Sequence, residues 1–163
     1  MKAARLGSAL ACLAAVTFAG AGAAQSGSGA ESPLPGTVTV RTAQRFDAQL
    51  VRLERSIESN KMGLVAQASA SRGAAARGVK IPGNAVLMLF RNDYAVRMLA
   101  ASVPAGIEAP LRIYVTENPD GTASVTYRRP SAVLAPYRSA ELDRLARELD
   151  PVFEKIVKDA AGG

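Results

Sequence analysis

Hydrophobic and polar positions change period several times along this chain. Residues 37–41, Thr-Val-Thr-Val-Arg, alternate with period two, the mark of a half-buried strand. Thr42 is then placed to cap a helix on which Phe46, Leu50, Leu53 and Ile57 recur at steps of four and three, all on one face. Arg45, Arg52, Arg55 and Glu58 fall elsewhere on that helix, and Gly63 is a natural stop. Residues 64–69 form a modest second strand, and residues 72–77, closed by Gly78, a short helix at most. After the turn Ile81-Pro82-Gly83-Asn84, residues 85–90 are apolar without interruption, the pattern of a central strand or one covered on both faces. Asn92 is a good helix N-cap, Asp93 suits the dipole of the first turn, and Tyr94, Ala95, Met98 and Leu99 supply that short helix's buried side.

The clearest local signal follows. Residues 111–117 alternate, Asn118-Pro119-Asp120-Gly121 is a turn, and residues 122–129 alternate again. Proline presets φ at the second turn position, and glycine accepts the left-handed exit. Pairing Val115 with Val125 and Ile113 with Tyr127 puts Leu111, Ile113, Val115, Val125 and Tyr127 on one face, and a one-residue slip would scatter them. The other face then sets Arg112 opposite Arg128, Tyr114 opposite Thr126, and Thr116 opposite Ser124. In the tail, Ser139 caps a helix striped by Leu142, Leu145, Leu149, Phe153 and Ile156. Asp150-Pro151 is expected to kink it or start a second helix, because the residue before proline avoids the α region.

Strands, helices and a hairpin in this order read as α+β, with one mainly antiparallel sheet and its helices on one face. Phe46, Leu50, Leu53, Ile57, Phe90, Ile113, Val125 and Leu145 are expected to share one core.

The N-terminal segment is read as targeting. A cationic head holding Lys2 and Arg5 precedes an uncharged Ala- and Leu-rich run, and residues 21–25 (Ala-Gly-Ala-Ala-Gln) offer small residues for cleavage. That order is a secretory signal peptide over residues 1–24, so the mature chain is expected to begin at Ala24 or Gln25, in the periplasm or outside the cell. The apolar run is shorter than the ~20 residues that span a bilayer, so no membrane association is expected after cleavage. Residues 25–36, small, polar and rich in Pro and Gly, read as a flexible linker, and residues 37–160 as one domain.

Charge and composition narrow the chemistry. Twenty cationic side chains less Lys2 and Arg5 leave eighteen against fourteen acidic ones, a mature balance of +4 in the 163-residue chain. That excess is mild and dispersed, which argues against nucleic acid as a partner. The chain has no histidine, and its one cysteine, Cys12, lies in the leader. Catalytic dyads and triads built on His or Cys, and zinc, iron–sulfur and His-ligated haem sites, are therefore out of reach of the mature chain.

Phe90-Arg91-Asn92-Asp93, Ala109-Pro110-Leu111-Arg112-Ile113-Tyr114-Val115, Asp120-Gly121 and Val125-Thr126-Tyr127-Arg128-Arg129-Pro130 together resemble the bacterial domain of unknown function 302 family. An amphipathic helix ending in Lys61-Met62-Gly63-Leu64 fits that family's opening, and the likeness covers most of residues 37–130. It implies a two-layer α+β sandwich of TATA-binding-protein-like architecture, commonly dimeric, with no established biochemical activity. The chain departs from the family where Arg91-Asn92-Asp93 replaces a usual Gly-Asn-Pro, and where Ser69-Ala70 stand in place of a frequent Asp-His pair.

Enzymatic readings find little support. Ser59 and Lys61 point in different directions on a helix, while Glu117 with Asp120 brackets a turn and Glu141 with Asp143 serves a helix dipole. No phosphate-binding glycine loop or calcium loop is present, and no cofactor is implied. The reading is therefore a non-catalytic binding domain, working as a homodimer or with an envelope partner. A carrier of a small apolar or anionic ligand comes second, and a Ser- or carboxylate-based hydrolase third. The candidate binding surface is the outer face of the hairpin: Arg112 and Arg128, with Tyr114 lending a hydrogen bond, and with Arg91 and Asn92 joining from the start of the neighbouring helix.

Overall fold

The computed structural model describes residues 34–162; the leader and residues 25–33 of the expected linker lie outside the described residues. Five strands, β1 (Thr37–Arg45), β2 (Gly63–Ala68), β3 (Asn84–Phe90), β4 (Leu111–Glu117) and β5 (Thr122–Arg128), form one antiparallel sheet in the order β1-β5-β4-β3-β2. Helices α1 (Phe46–Ser59) and α5 (Ala140–Ala161) pack on each other and on one face of that sheet. Three shorter helices connect strands or precede α5: α2 (Ala70–Ala75), α3 (Asn92–Ala101) and α4 (Pro130–Leu134). The architecture is the α+β two-layer sandwich expected from the sequence.

The core lies between the sheet and the helix pair. Leu53, Ile113, Val125, Phe153 and Ile156 are fully buried there, with Leu50, Ile57 and Leu145. The hairpin register is as the apolar alternation required, with Val115 opposite Val125 and Ile113 opposite Tyr127. Continued one step beyond the last paired residues, it sets Arg112 across from Arg128. The turn is held by Asp120, whose carboxylate accepts from the backbone N–H and the hydroxyl of Thr122, at 3.0 and 2.6 Å. Gly121 closes it at φ +76°, and Arg41 of β1 pairs with the same carboxylate at 2.6 Å. The two Thr122 hydrogen bonds first, and Arg41 after them, hold the Asp120 pKa down to about 2.

Several boundaries differ from the sequence reading. Thr42 caps nothing: β1 runs on to Arg45, and the buried Thr42 hydroxyl donates to the Ala123 carbonyl across the sheet. The first amide of α1 is met instead by the Gly121 carbonyl at 3.4 Å. That helix stops at Asn60, and Gly63 already belongs to β2. In α3 the N-cap is Arg91, with Asn92 the first helical residue, and no side chain closes the cap. Leu99 is 46% exposed, leaving Met98 as the buried residue of that helix. Strand β3 is an inner strand, as one of the two readings had it, but it is not buried on both faces: Ala85, Leu87 and Leu89 point inward, while Phe90 shares the outer face with Val86 and Met88. An unbroken apolar run carries no alternation, so it could not say which of its residues face in.

Pro151 does not start a second helix; α5 passes through it to Ala161. Asp150 does cap a helix, but a different one: its carboxylate accepts from Ser131 N at 2.9 Å, in the first turn of α4. The proline costs roughly 3 kcal/mol in a helix interior. Beyond it the helix buries Phe153, Ile156 and Val157, each contributing about 1.5–3 kcal/mol. Burial outweighs the lost bond.

Leu53→Ala is expected to cost about 2–5 kcal/mol in a denaturant titration, since Leu53 has no exposed surface and its neighbours are fixed. A second expectation concerns acid. The Asp120 pKa is depressed from 3.8 to about 2 by folding, so its contribution is complete above 3.8 and lost as the pH falls through 2. Asp120→Asn should therefore flatten the fall in stability across that interval, as read from urea midpoints measured at successive pH values.

Candidate functional site

The sheet's second face has no helical layer. Cross-strand pairs there bring Val86 beside Tyr114 and Met88 beside Arg112, while Thr39 lies beside Thr126 and Thr37 beside Arg128. The surface is thus apolar towards β3 and polar towards β1. Where β1 and β4 begin and β5 ends, it runs into a cavity of about 400 Å³. Arg112, Tyr114 and Arg128 line that cavity with Thr37 and Thr126, and Leu34, Leu111, Tyr127 and Val133 give it an apolar side.

Each wall has a local cause. Leu34 is placed by a turn in which its carbonyl accepts from the Thr37 hydroxyl at 2.8 Å and from Thr37 N at 3.4 Å. Gly36, at φ +73°, gives its carbonyl to Arg129 N at 2.9 Å and lies against Ala132 of α4. Residues 34–36, read from sequence as the end of a linker, are therefore fastened to the domain. Val133 arrives on α4, whose first turn Asp150 holds.

The two arginines have separate partners. Arg112 approaches Glu108 at 3.9 Å, and Glu108 is itself held by the Tyr137 hydroxyl, which donates to it at 3.0 Å. Arg128 donates through Nη2 to the Ala132 carbonyl at 3.1 Å, while its Nε is shielded from solvent with no hydrogen-bond partner. Tyr114, beside Val86, is 41% exposed.

Arg91 and Asn92 do not join this cavity. The Arg91 guanidinium is bonded twice to Asp93, at 2.7 and 2.9 Å, and lies 4.0 Å from the Tyr94 ring centroid. The hydrogen bond from Arg91 lowers the Asp93 pKa below its ordinary value. Two residues of separation let Arg91 satisfy its charge locally, so it is not available to a shared patch. Asn92, exposed at the first helical position, lies outside the cavity as well.

Three of the four carboxylates considered for catalysis are occupied structurally. Glu117 accepts from Gly83 N at 2.8 Å, Asp120 holds the hairpin turn, and Glu141 pairs with Arg144 on its own helix. Ser59 donates to the Ser56 carbonyl at 3.1 Å rather than meeting Lys61. Among the described residues, no group of three or more acidic side chains is gathered as a cation site, and no helix is long and apolar enough to cross a membrane.

The fold defines a class, the α+β sandwich with one open sheet face, and the family model then specifies it. Residues 37–160 match the domain of unknown function DUF302, and the chain belongs to that family. Among solved structures it is similar to an uncharacterized conserved DUF302 protein from Bacillus stearothermophilus. The identity is 17% and the TM-score 0.70, over 77% of this chain and 98% of that one, a likeness of fold. No curated protein matches the sequence.

Gly36 generates a direct expectation. A Cβ there would fall 2.2 Å from the Ala132 Cβ, on a residue whose φ of +73° already disfavours any side chain. Gly36→Ala should destabilise the domain by roughly 1–3 kcal/mol. Because the turn carrying Leu34 must move, hydrogen exchange should rise at Arg129 N before it rises in α5.

Proposed function

We propose that this chain is an exported, non-catalytic binding domain that works through the uncovered face of its sheet, as a homodimer or against an envelope partner. One observation carries the reading. Half-buried Val86, Met88 and Phe90 and exposed Tyr114 share a face that no helix covers, continuous with a cavity lined by two arginines. Contiguous apolar surface rimmed by charge is what interaction sites present. Export, to the periplasm or beyond, is supported by the order of cationic head, apolar run and small-residue site in residues 1–24.

A second reading, a carrier of a small apolar or anionic ligand, is favoured specifically by the cavity. Its volume of about 400 Å³ falls within the range typical of small-molecule sites.

Light scattering of the mature protein tests the homodimer. The expected mass is that of two chains, falling to one chain in Met88→Glu/Tyr114→Glu with an unchanged circular dichroism spectrum. A single-chain mass for the wild type at every concentration would overturn it.

A further inference from the structure

Resting on the reading that the open face is the working surface, we propose that the cavity at the end of the sheet binds a small organic anion. The ligand is a carboxylate or phosphate head on a compact apolar body. Three features of the cavity select that chemistry.

The first is charge. Arg112 and Arg128 line the cavity, and no carboxylate does. By contrast, Arg41 meets Asp120 at 2.6 Å, and Arg97 meets Glu148 at 2.7 and 2.8 Å. Arg112 has only Glu108 at 3.9 Å, beyond hydrogen-bonding distance. Releasing so exposed and so long a contact costs little.

The second is an unmet donor. Arg128 Nε is shielded from solvent and has no partner, although the same guanidinium gives Nη2 to Ala132. A water-sized probe does not reach Nε, so the donor offered to the cavity is Nη1 of the same guanidinium, which has no partner in the protein and can bond an anionic oxygen.

The third is polarity of the walls. Arg112, Arg128 and Tyr114 share the lining with Leu34, Leu111 and Val133. A bare inorganic anion would leave the apolar residues wet, and a neutral hydrocarbon would leave both guanidiniums without a counter-charge. An anion with an apolar body satisfies both. The volume of about 400 Å³ suits a body of a few carbons rather than a long chain.

Calorimetry on the mature protein tests this with four probes: hexanoate, hexyl phosphate, hexanol and inorganic phosphate. One or both of the first two should bind, and whichever binds more tightly names the head group. Hexanol and inorganic phosphate should each be weaker by about tenfold or more, and Arg112→Gln and Arg128→Gln should each lower affinity by about tenfold. Tyr114→Phe, at an exposed position, keeps the proposal testable if an arginine variant fails to fold, and should weaken binding severalfold. Arg97→Gln, outside the cavity, should leave affinity unchanged.

Absence of heat with both amphipathic anions, or folded arginine variants that bind as the wild type does, would overturn the proposal. Inorganic phosphate binding as tightly as hexyl phosphate would overturn its apolar half. A single-chain mass accompanied by hexanoate binding would defeat the homodimer and leave this site standing. A two-chain mass with no anion binding would do the reverse.

Discussion

Everything in this molecule depends on α5 staying pressed along the sheet, and that helix is fastened by polar bonds as well as by its apolar stripe. The final carbonyls of a helix have no partner within it. Here the Ala160 carbonyl accepts from Arg52 Nε at 2.8 Å and from the buried Gln49 Nε2 at 3.3 Å, and the Ser56 hydroxyl donates to the Ile156 carbonyl at 2.8 Å. All three donors lie on α1, at spacings of three and four residues, so one flank of that helix serves the end of its neighbour. Beneath the seam, Phe153 reaches the sheet, its ring centroid 6.0 Å from that of Tyr127. Tyr127 belongs at once to this core and to the cavity wall, so the packing of α5 also fixes the floor of the candidate site.

Much of this was legible in the sequence, for identifiable reasons. The hairpin could be read because two alternating strands and a turn of defined chemistry leave a single register that keeps Ile113, Val115, Val125 and Tyr127 together. The stripes of α1 and α5 could be read because Leu50, Leu53 and Ile57, and Leu142 through Ile156, repeat at helical spacing. What escaped were decisions made by distant partners. Thr42 looks like a cap until its hydroxyl is found bonded across the sheet to Ala123. Asp150 looks like the cap of its own helix until Ser131 is brought beside it. Gln49, Arg52 and Ser56 lie off the apolar stripe of α1, and only the arrival of α5 reveals them as donors to its carbonyls.

The site was legible in part for the same reasons. Register alone put Arg112, Tyr114 and Arg128 on one surface, because cross-strand neighbours follow from the hairpin pairing. The enclosing walls could not be foreseen. Leu34 comes from before the first strand and Val133 from after the last, and their meeting depends on Gly36 lying against Ala132. Arg91 misled in the opposite sense. Its proximity in sequence to a helix start suggested a shared positive patch, but Asp93 and the Tyr94 ring, two and three residues away, claim it first.

Two like charges set opposite each other on a sheet repel, and a surface indifferent to its own charge would carry a complementary pair at that position. The structure shows how the strain is relieved without removing either charge. Arg112 leans towards Glu108, which Tyr137 restrains, and Arg128 turns to a backbone carbonyl, a neutral acceptor. Neither contact neutralises its guanidinium as Asp93 does for Arg91 or Glu148 for Arg97. Had both side chains simply entered bulk water, repulsion at high dielectric would be worth only a few tenths of a kcal/mol and would explain nothing. Instead both arginines line one cavity, Arg112 with its side chain 61% exposed and Arg128 with its Nε closed off from solvent. Two guanidiniums without a close carboxylate, set beside Leu34, Leu111 and Val133, are the arrangement on which the proposal of an anion with an apolar end rests.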